Sequence, residues 1–166
     1  YLIPKNDEFF GEYIPANKDR LKFISNFSGS YGFALILKNK NYLFVDGRYT
    51  IQAQKESGKY FKIIKYEKIF NCKLFKNLTL GINPKLFTSE QIKRFFGKKT
   101  IIRQISSDLI KNIFSKRPNK QKPFFSLKKN ISGESHTKKI GKVVSWIKKE
   151  RSNYLFVTAP ENVAWL

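Results

Sequence analysis

The side chains of this protein that could do chemistry are few and dispersed. Among 166 residues there is one histidine, His136, and one cysteine, Cys72, and the 12 acidic residues run from Asp7 to Glu161 without clustering. Metal centres draw His, Cys and carboxylate ligands from recognisable spacings. No two acids here have a spacing that argues a paired general acid and base. His136 has no second His and no Cys beside it, and reads as an exposed residue in the first turn of a helix. Cys72 lies among Lys, Asn and Phe, and reads as a buried or half-buried thiol rather than a nucleophile. No glycine-rich phosphate loop is present. Taken alone, the residues define neither an active site nor a metal site.

One loop suggests more: Asp46-Gly47-Arg48-Tyr49. On a structural reading, Gly47 allows a sharp strand-to-helix turn, Asp46 caps the helix and Tyr49 packs on it. On a functional reading, an arginine at the carboxyl end of a strand reaches over the edge to pair with a carboxylate. The structural role is preferred, since arginine beside a turn is commonplace. Arg48, Tyr49 and Trp165 are nevertheless the candidate substrate or interface residues.

The elements that must position this loop follow from periodicity. Tyr1-Leu2-Ile3 reads as a buried strand ended by Pro4, and Lys5 to Ala16 as a loop. Asn17 is expected to cap a short helix through Phe23 and Ile24. Phe33 to Leu37 is a continuous apolar run, suited to a strand covered on both faces. With Tyr42 to Val45 it forms an antiparallel hairpin. A helix is expected over Tyr49–Ser57, a strand over Phe61–Tyr66, a short helix over Ile69–Phe75 and a strand over Leu78–Ile82. Thr88 and Gln91 have capping-box spacing before a helix ended by Gly97. A strand over Thr100–Ile105 follows, then a helix capped by Ser107 with Leu109, Ile110, Ile113 and Phe114 facing inward. Arg117 to Pro123 has linker composition. Ser132 or Ser135 then starts a helix whose Ile140, Val143, Val144 and Ile147 share one face. Tyr154 to Val157 reads as a strand, and the segment around it echoes Tyr1 to Phe9. These elements make an α/β domain with a mixed sheet flanked by helices, followed by the start of a second similar domain. The expected division is 1–128 and 129–166, with the first domain lacking its leading helix and the second broken off.

Composition bounds the rest. Hydrophobic residues make up 41% and aromatics 16%, enough for a real core. The net charge of +21, from 33 Lys and Arg against 12 Asp and Glu, points towards nucleic acid or another anionic surface. Against this, the lysines are spread along the chain in a background rich in Asn, Ile, Phe and Tyr, as A/T-biased codons would produce. Solvated basic faces are therefore preferred, and no specific nucleic-acid recognition is expected. No apolar run approaches the roughly 18 residues of a membrane span. With nothing resembling a signal peptide near Tyr1 and a single cysteine, a cytoplasmic setting is expected.

Several motifs together carry a resemblance. Tyr1 to Pro4 with Glu12-Tyr13, Phe27-Ser28-Gly29-Ser30-Tyr31-Gly32, Asp46-Gly47-Arg48-Tyr49 followed by Gln52-Ala53, Ser132-Gly133-Glu134-Ser135 with Lys139, and Asn162 to Leu166 stand in one order. In that order they resemble the N-terminal region of Xaa-Pro aminopeptidases, of the creatinase/prolidase group. Gly11 stands where that pattern usually has Ser. The resemblance implies two related non-catalytic α/β domains ahead of a catalytic domain that carries two divalent metals, manganese as a rule. It implies peptides with proline at the second position as substrates, and a homodimer or higher homo-oligomer. None of the metal ligands maps onto this sequence, so no cofactor is expected within it. The competing readings are a catalytically inactive binding homologue and a basic nucleic-acid-binding module.

Overall fold

A computed structural model describes residues 1–70, 72–96, 100–110, 113 and 123–166. The chain forms two compact units, Tyr1–Asn119 and Lys120–Leu166.

The first unit is built on six strands: β1 (Leu2–Pro4), β2 (Gly32–Ile36), β3 (Asn41–Val45), β4 (Lys62–Lys65), β5 (Thr79–Ile82) and β6 (Ile101–Gln104). Their order across the sheet is β4-β3-β2-β1-β5-β6. The β2–β3 hairpin is antiparallel, with Phe33 opposite Phe44 and Leu35 opposite Tyr42. β1 runs antiparallel to β2 but parallel to β5, and β4 and β6 run parallel to their neighbours β3 and β5. β2 is thus the one strand of the six that runs against the rest.

The apolar runs are continuous because both faces of the sheet are covered, and the strand period of two sorts them. Leu2, Phe33, Leu35, Tyr42 and Phe44 join one core cluster with Leu80, Ile82 and Phe95. Ile3, Ala34, Leu43 and Val45 alternate into the other, with Leu21, Phe27 and Ala53. The first face is aromatic: Phe95 stands edge-on to Phe33 at 5.2 Å, and Phe75 to Phe96 at the same distance. The second is closed by α1 (Arg20–Ser25) and α2 (Thr50–Ser57), and α3 (Ser89–Phe95) lies on the aromatic face. Gly32 is required by packing, since a Cβ there would lie 2.8 Å from the Phe44 carbonyl oxygen.

Several local expectations need correction. The cap of α1 is Asp19, which accepts from the Lys22 amide, and not Asn17. Asp19 is also fixed by a buried ion pair with Lys5, an advantage that Asn17 lacks. In place of one helix over Ile69–Phe75 there are two 3-10 turns, Tyr66–Ile69 and Lys73–Phe75, which bury Ile69 and Phe75. Leu109 and Ile113 are exposed, and only Ile110 of that trio is buried. Asp108, not Ser107, accepts from the Ile110 amide and pairs with Arg20. The capping box of α3 forms as its spacing predicts. Gly97, Phe114 and residues 117–122 of the expected linker lie outside the described residues.

The second unit contains α4 (Lys129–Ser132), α5 (His136–Lys149) and α6 (Pro160–Trp165). Gly133 ends α4 at φ 76, a left-handed conformation that favours glycine. Ser135 caps α5 through the Lys138 amide. Residues 154–157 form no strand. A strand needs a neighbour to take its backbone hydrogen bonds, and this unit has none among its described residues. For the same reason Ile140 and Val144, on the apolar stripe of α5, stay 47% and 41% exposed.

Candidate binding cleft at the carboxyl edge of the sheet

In an open sheet of parallel strands, ligand sites form beyond the carboxyl ends, where neighbouring connections leave in opposite directions. Here that point lies between β1 and β5. To one side of β1 the chain builds β2, β3 and β4, and to the other β5 and β6. A cleft of about 490 Å³ opens at this edge. Pro4, Phe33 and Leu86 supply apolar surface, Tyr31 and Gln91 add polar walls, and Arg48 contributes from the β3 end.

The loop after β1 forms one lip. Asn6 donates to the Leu86 carbonyl at 3.2 Å, tying the loop across the β1–β5 junction. The Asp7 amide donates to Asn6 Oδ1, and Asp7, itself buried, accepts from the Phe9 amide at 3.0 Å. These bonds hold Phe10 at φ 56, a conformation costly for a bulky side chain. Phe10, Gly11 and Glu12 then line the cleft. Below them, Lys5 and Asp19 form a buried pair at 2.6 Å.

The motif Asp46 to Ala53 resolves into separate jobs. Asp46 caps the 3-10 turn Gly47–Tyr49 by accepting from the Arg48 amide at 2.9 Å. Tyr49 meets Phe27 edge-on at 5.9 Å and shares a hydrogen bond with Ser30 at 2.9 Å. Gln52 donates to Ser28 Oγ and Glu56 Oε1, while Ser28 donates to both oxygens of Glu56. Ala53 is buried where α2 meets the sheet. Arg48 donates from Nε to Asp46 Oδ1 at 2.9 Å, yet its side chain stays 75% exposed. Gly47 does not have a left-handed backbone, and a Cβ there would meet nothing within 4 Å. The expectation that Gly47 permits a sharp turn is therefore corrected: the turn itself does not demand glycine.

The electrostatics follow from these contacts. The hydrogen bond from Arg48 holds the Asp46 carboxyl below the usual range, and the same contact raises the Arg48 guanidinium. Burial, then the hydrogen bond with Tyr66, pushes the Tyr31 phenol up, so it faces the cleft as a neutral group. Burial also works to raise Glu56, but its bonds from Ser28 and Gln52 outweigh that and leave its carboxyl lowered.

Of the three residues singled out in the sequence, Arg48 lines the cleft and Tyr49 packs against the core cluster on the other face of the sheet. Trp165 belongs to the second unit, where Lys139 lies 3.6 Å from its ring centroid and donates to its carbonyl at 2.7 Å. Asn6, Phe10, Tyr31 and Gln91 were not singled out as site residues. Only strand order brings them together, although the loop's position directly after a parallel strand is a signal that could have drawn attention to it. Among the described residues no group of three or more His, Cys, Asp and Glu could hold a metal ion.

Comparison with known proteins places these features in context. Residues 11–100 match one model of the creatinase/prolidase N-terminal domain, and residues 115–166 match a second model of that description. A protein named "Probable Xaa-Pro aminopeptidase P" from Coprinopsis cinerea is 32% identical across 100% of this chain, which spans 29% of that relative. Its namesake from Laccaria bicolor is also 32% identical, with 28% of its length spanned. The crystal structure of X-prolyl aminopeptidase from Caenorhabditis elegans, described as a cytosolic enzyme with a di-nuclear active site, superposes over 99% of this chain with a TM-score of 0.75. At 24% identity and 29% coverage of that structure, the likeness establishes the fold.

Proposed function

Because the chain belongs to the creatinase/prolidase N-terminal domain family, we propose that it is the non-catalytic N-terminal portion of a metal-dependent Xaa-Pro aminopeptidase. The parent enzyme removes an N-terminal residue that precedes proline. The observation that carries this reading is the end-to-end match of the chain to relatives named Xaa-Pro aminopeptidase P. A proline in second position fixes φ and removes the amide proton, so the bond before it calls for a dedicated enzyme.

This chain's own donors do not fit a pair of metals. His136 is its single histidine, and the acids of the cleft are engaged elsewhere or isolated: Asp46 with Arg48, and Glu12 on the loop. No step of the hydrolysis is therefore assigned to these residues, and the two divalent metals, manganese in this reading, have their ligands outside this chain. The two units instead limit access to the catalytic cleft and supply contacts in a homodimer or higher oligomer. A cytoplasmic setting goes with the reading. Among the described residues no helix is long and apolar enough to cross a membrane.

The test compares the parent protein with this chain alone. With manganese, the parent is expected to release the first residue of a tripeptide with proline second, to spare the alanine analogue, and to lose activity to a chelator. The 166-residue chain is expected to match a blank under the same conditions. An inert parent would favour the inactive binding homologue, and proline-dependent cleavage by the chain alone would overturn the division of labour.

A further inference from the structure

Within Asp46 to Ala53, four of the eight residues have evident structural duties. Asp46 caps, Tyr49 packs, Gln52 bridges and Ala53 fits under the helix. Of the remaining four, Arg48 alone lines the cleft. The Arg48–Asp46 pair spans two residues on an exposed turn, a kind of pair that contributes little to folding. What it does is orient the guanidinium: Nε and Nη2 are engaged with Asp46, and Nη1 has no partner among the described residues. Gly47, beside it, leaves open space where any other residue would place a Cβ. Arg48 lines the cleft that also holds the strained Phe10.

We propose that this cleft is a peptide-binding site, in which Arg48 receives one carboxylate of an extended acidic segment and the apolar surface takes the adjoining side chain. A lone carboxylate would leave most of about 490 Å³ unfilled, and Pro4, Phe10, Phe33 and Leu86 call for an apolar group beside the charge. Glu12, also on the lining, disfavours a second carboxylate beside it. The +21 charge of the chain favours arrival of an acidic partner, and the planar arginine fork selects the carboxylate. Neither point depends on whether the parent protein cleaves Xaa-Pro peptides, because the site lies wholly in the first unit.

The test uses the full chain labelled with nitrogen-15 and titrated with acetyl-Phe-Glu-amide, acetyl-Phe-Gln-amide and acetate. The Glu peptide is expected to shift the amides of Gly47, Arg48, Gly11 and Gln91, with the Gln peptide at least ~10-fold weaker. Arg48→Lys keeps the charge but not the fork and is expected to weaken binding ~10-fold. Arg48→Ala is expected to keep the wild-type unfolding temperature, since that side chain is 75% exposed, and to abolish binding. The proposal is overturned by shifts spread over the lysine-bearing surfaces instead of the cleft, or by equal binding of the two peptides. It is also overturned by acetate reproducing the shifts at the same concentration, by wild-type affinity in the Arg48→Ala chain, or by no shifts at millimolar peptide.

Discussion

Single side chains in the first unit are fixed by small hydrogen-bonded networks as well as by ion pairs, and Glu56 shows the consequence. Its carboxylate takes two hydrogen bonds from Ser28 and one from Gln52, and its folded-state pKa lies below the ordinary 4.5. A group lowered on folding contributes stability that is fully present above its unfolded pKa and is lost as pH falls through its folded pKa. Glu56→Gln is therefore expected to cost under about 1 kcal/mol near neutrality. The gap to wild type should close as the pH drops below 4.5, read as thermal midpoint against pH. A gap that widens on acidification would contradict the network. Gly133 is a case of conformation alone. At φ 76 it ends α4, and Gly133→Ala is expected to destabilise that turn by about 1–2 kcal/mol without removing any contact. The helical circular dichroism of the chain would report it.

At the scale of elements, local signals were legible and partner-dependent ones were not. Thr88 and Gln91 satisfy each other's helix end wherever the chain goes, so their spacing sufficed to place α3. Thr88→Ala is expected to cost about 1 kcal/mol in chemical denaturation, since one hydroxyl then no longer accepts from the Gln91 amide. The β2–β3 hairpin was legible because a four-residue polar turn separates two apolar runs. Tyr154 to Val157 has the same composition as a strand, but composition cannot supply the neighbouring strand that would make it one. Asn17 and Asp19 are both good caps by type. Lys5, distant in sequence and near in space, favours Asp19. The cleft was hidden for a related reason. Arg48 could be suspected from its place after an apolar run, whereas Phe10 and Gln91 join it only through a strand order that no local pattern encodes.

Across the whole molecule, charge is the property that composition overstated. The ion pairs use Lys5, Lys18, Arg20, Arg48, Lys138 and Lys142, which leaves most of the basic residues among those described without an ion-paired acid. Such a surface will attract polyanions without reading them. Binding to duplex DNA is expected to be weak, equal for scrambled sequences, and to fall steeply with added salt in a titration. Tight, sequence-selective binding at physiological salt would instead favour the nucleic-acid-binding module. The sheet carries a different consequence. In strand pairing its halves, β4-β3-β2 and β5-β6, are joined by β1, three residues that precede every other element described and pair with residues as far along as Ile82. As the chain is made, the keystone of the sheet emerges before the stones it must hold. Leu2 and Ile3 can find β2 early but must wait for some eighty residues of synthesis before β5 arrives. Until then an apolar strand edge stands open, and this is the interval in which a nascent chain of this design most needs protection from its neighbours.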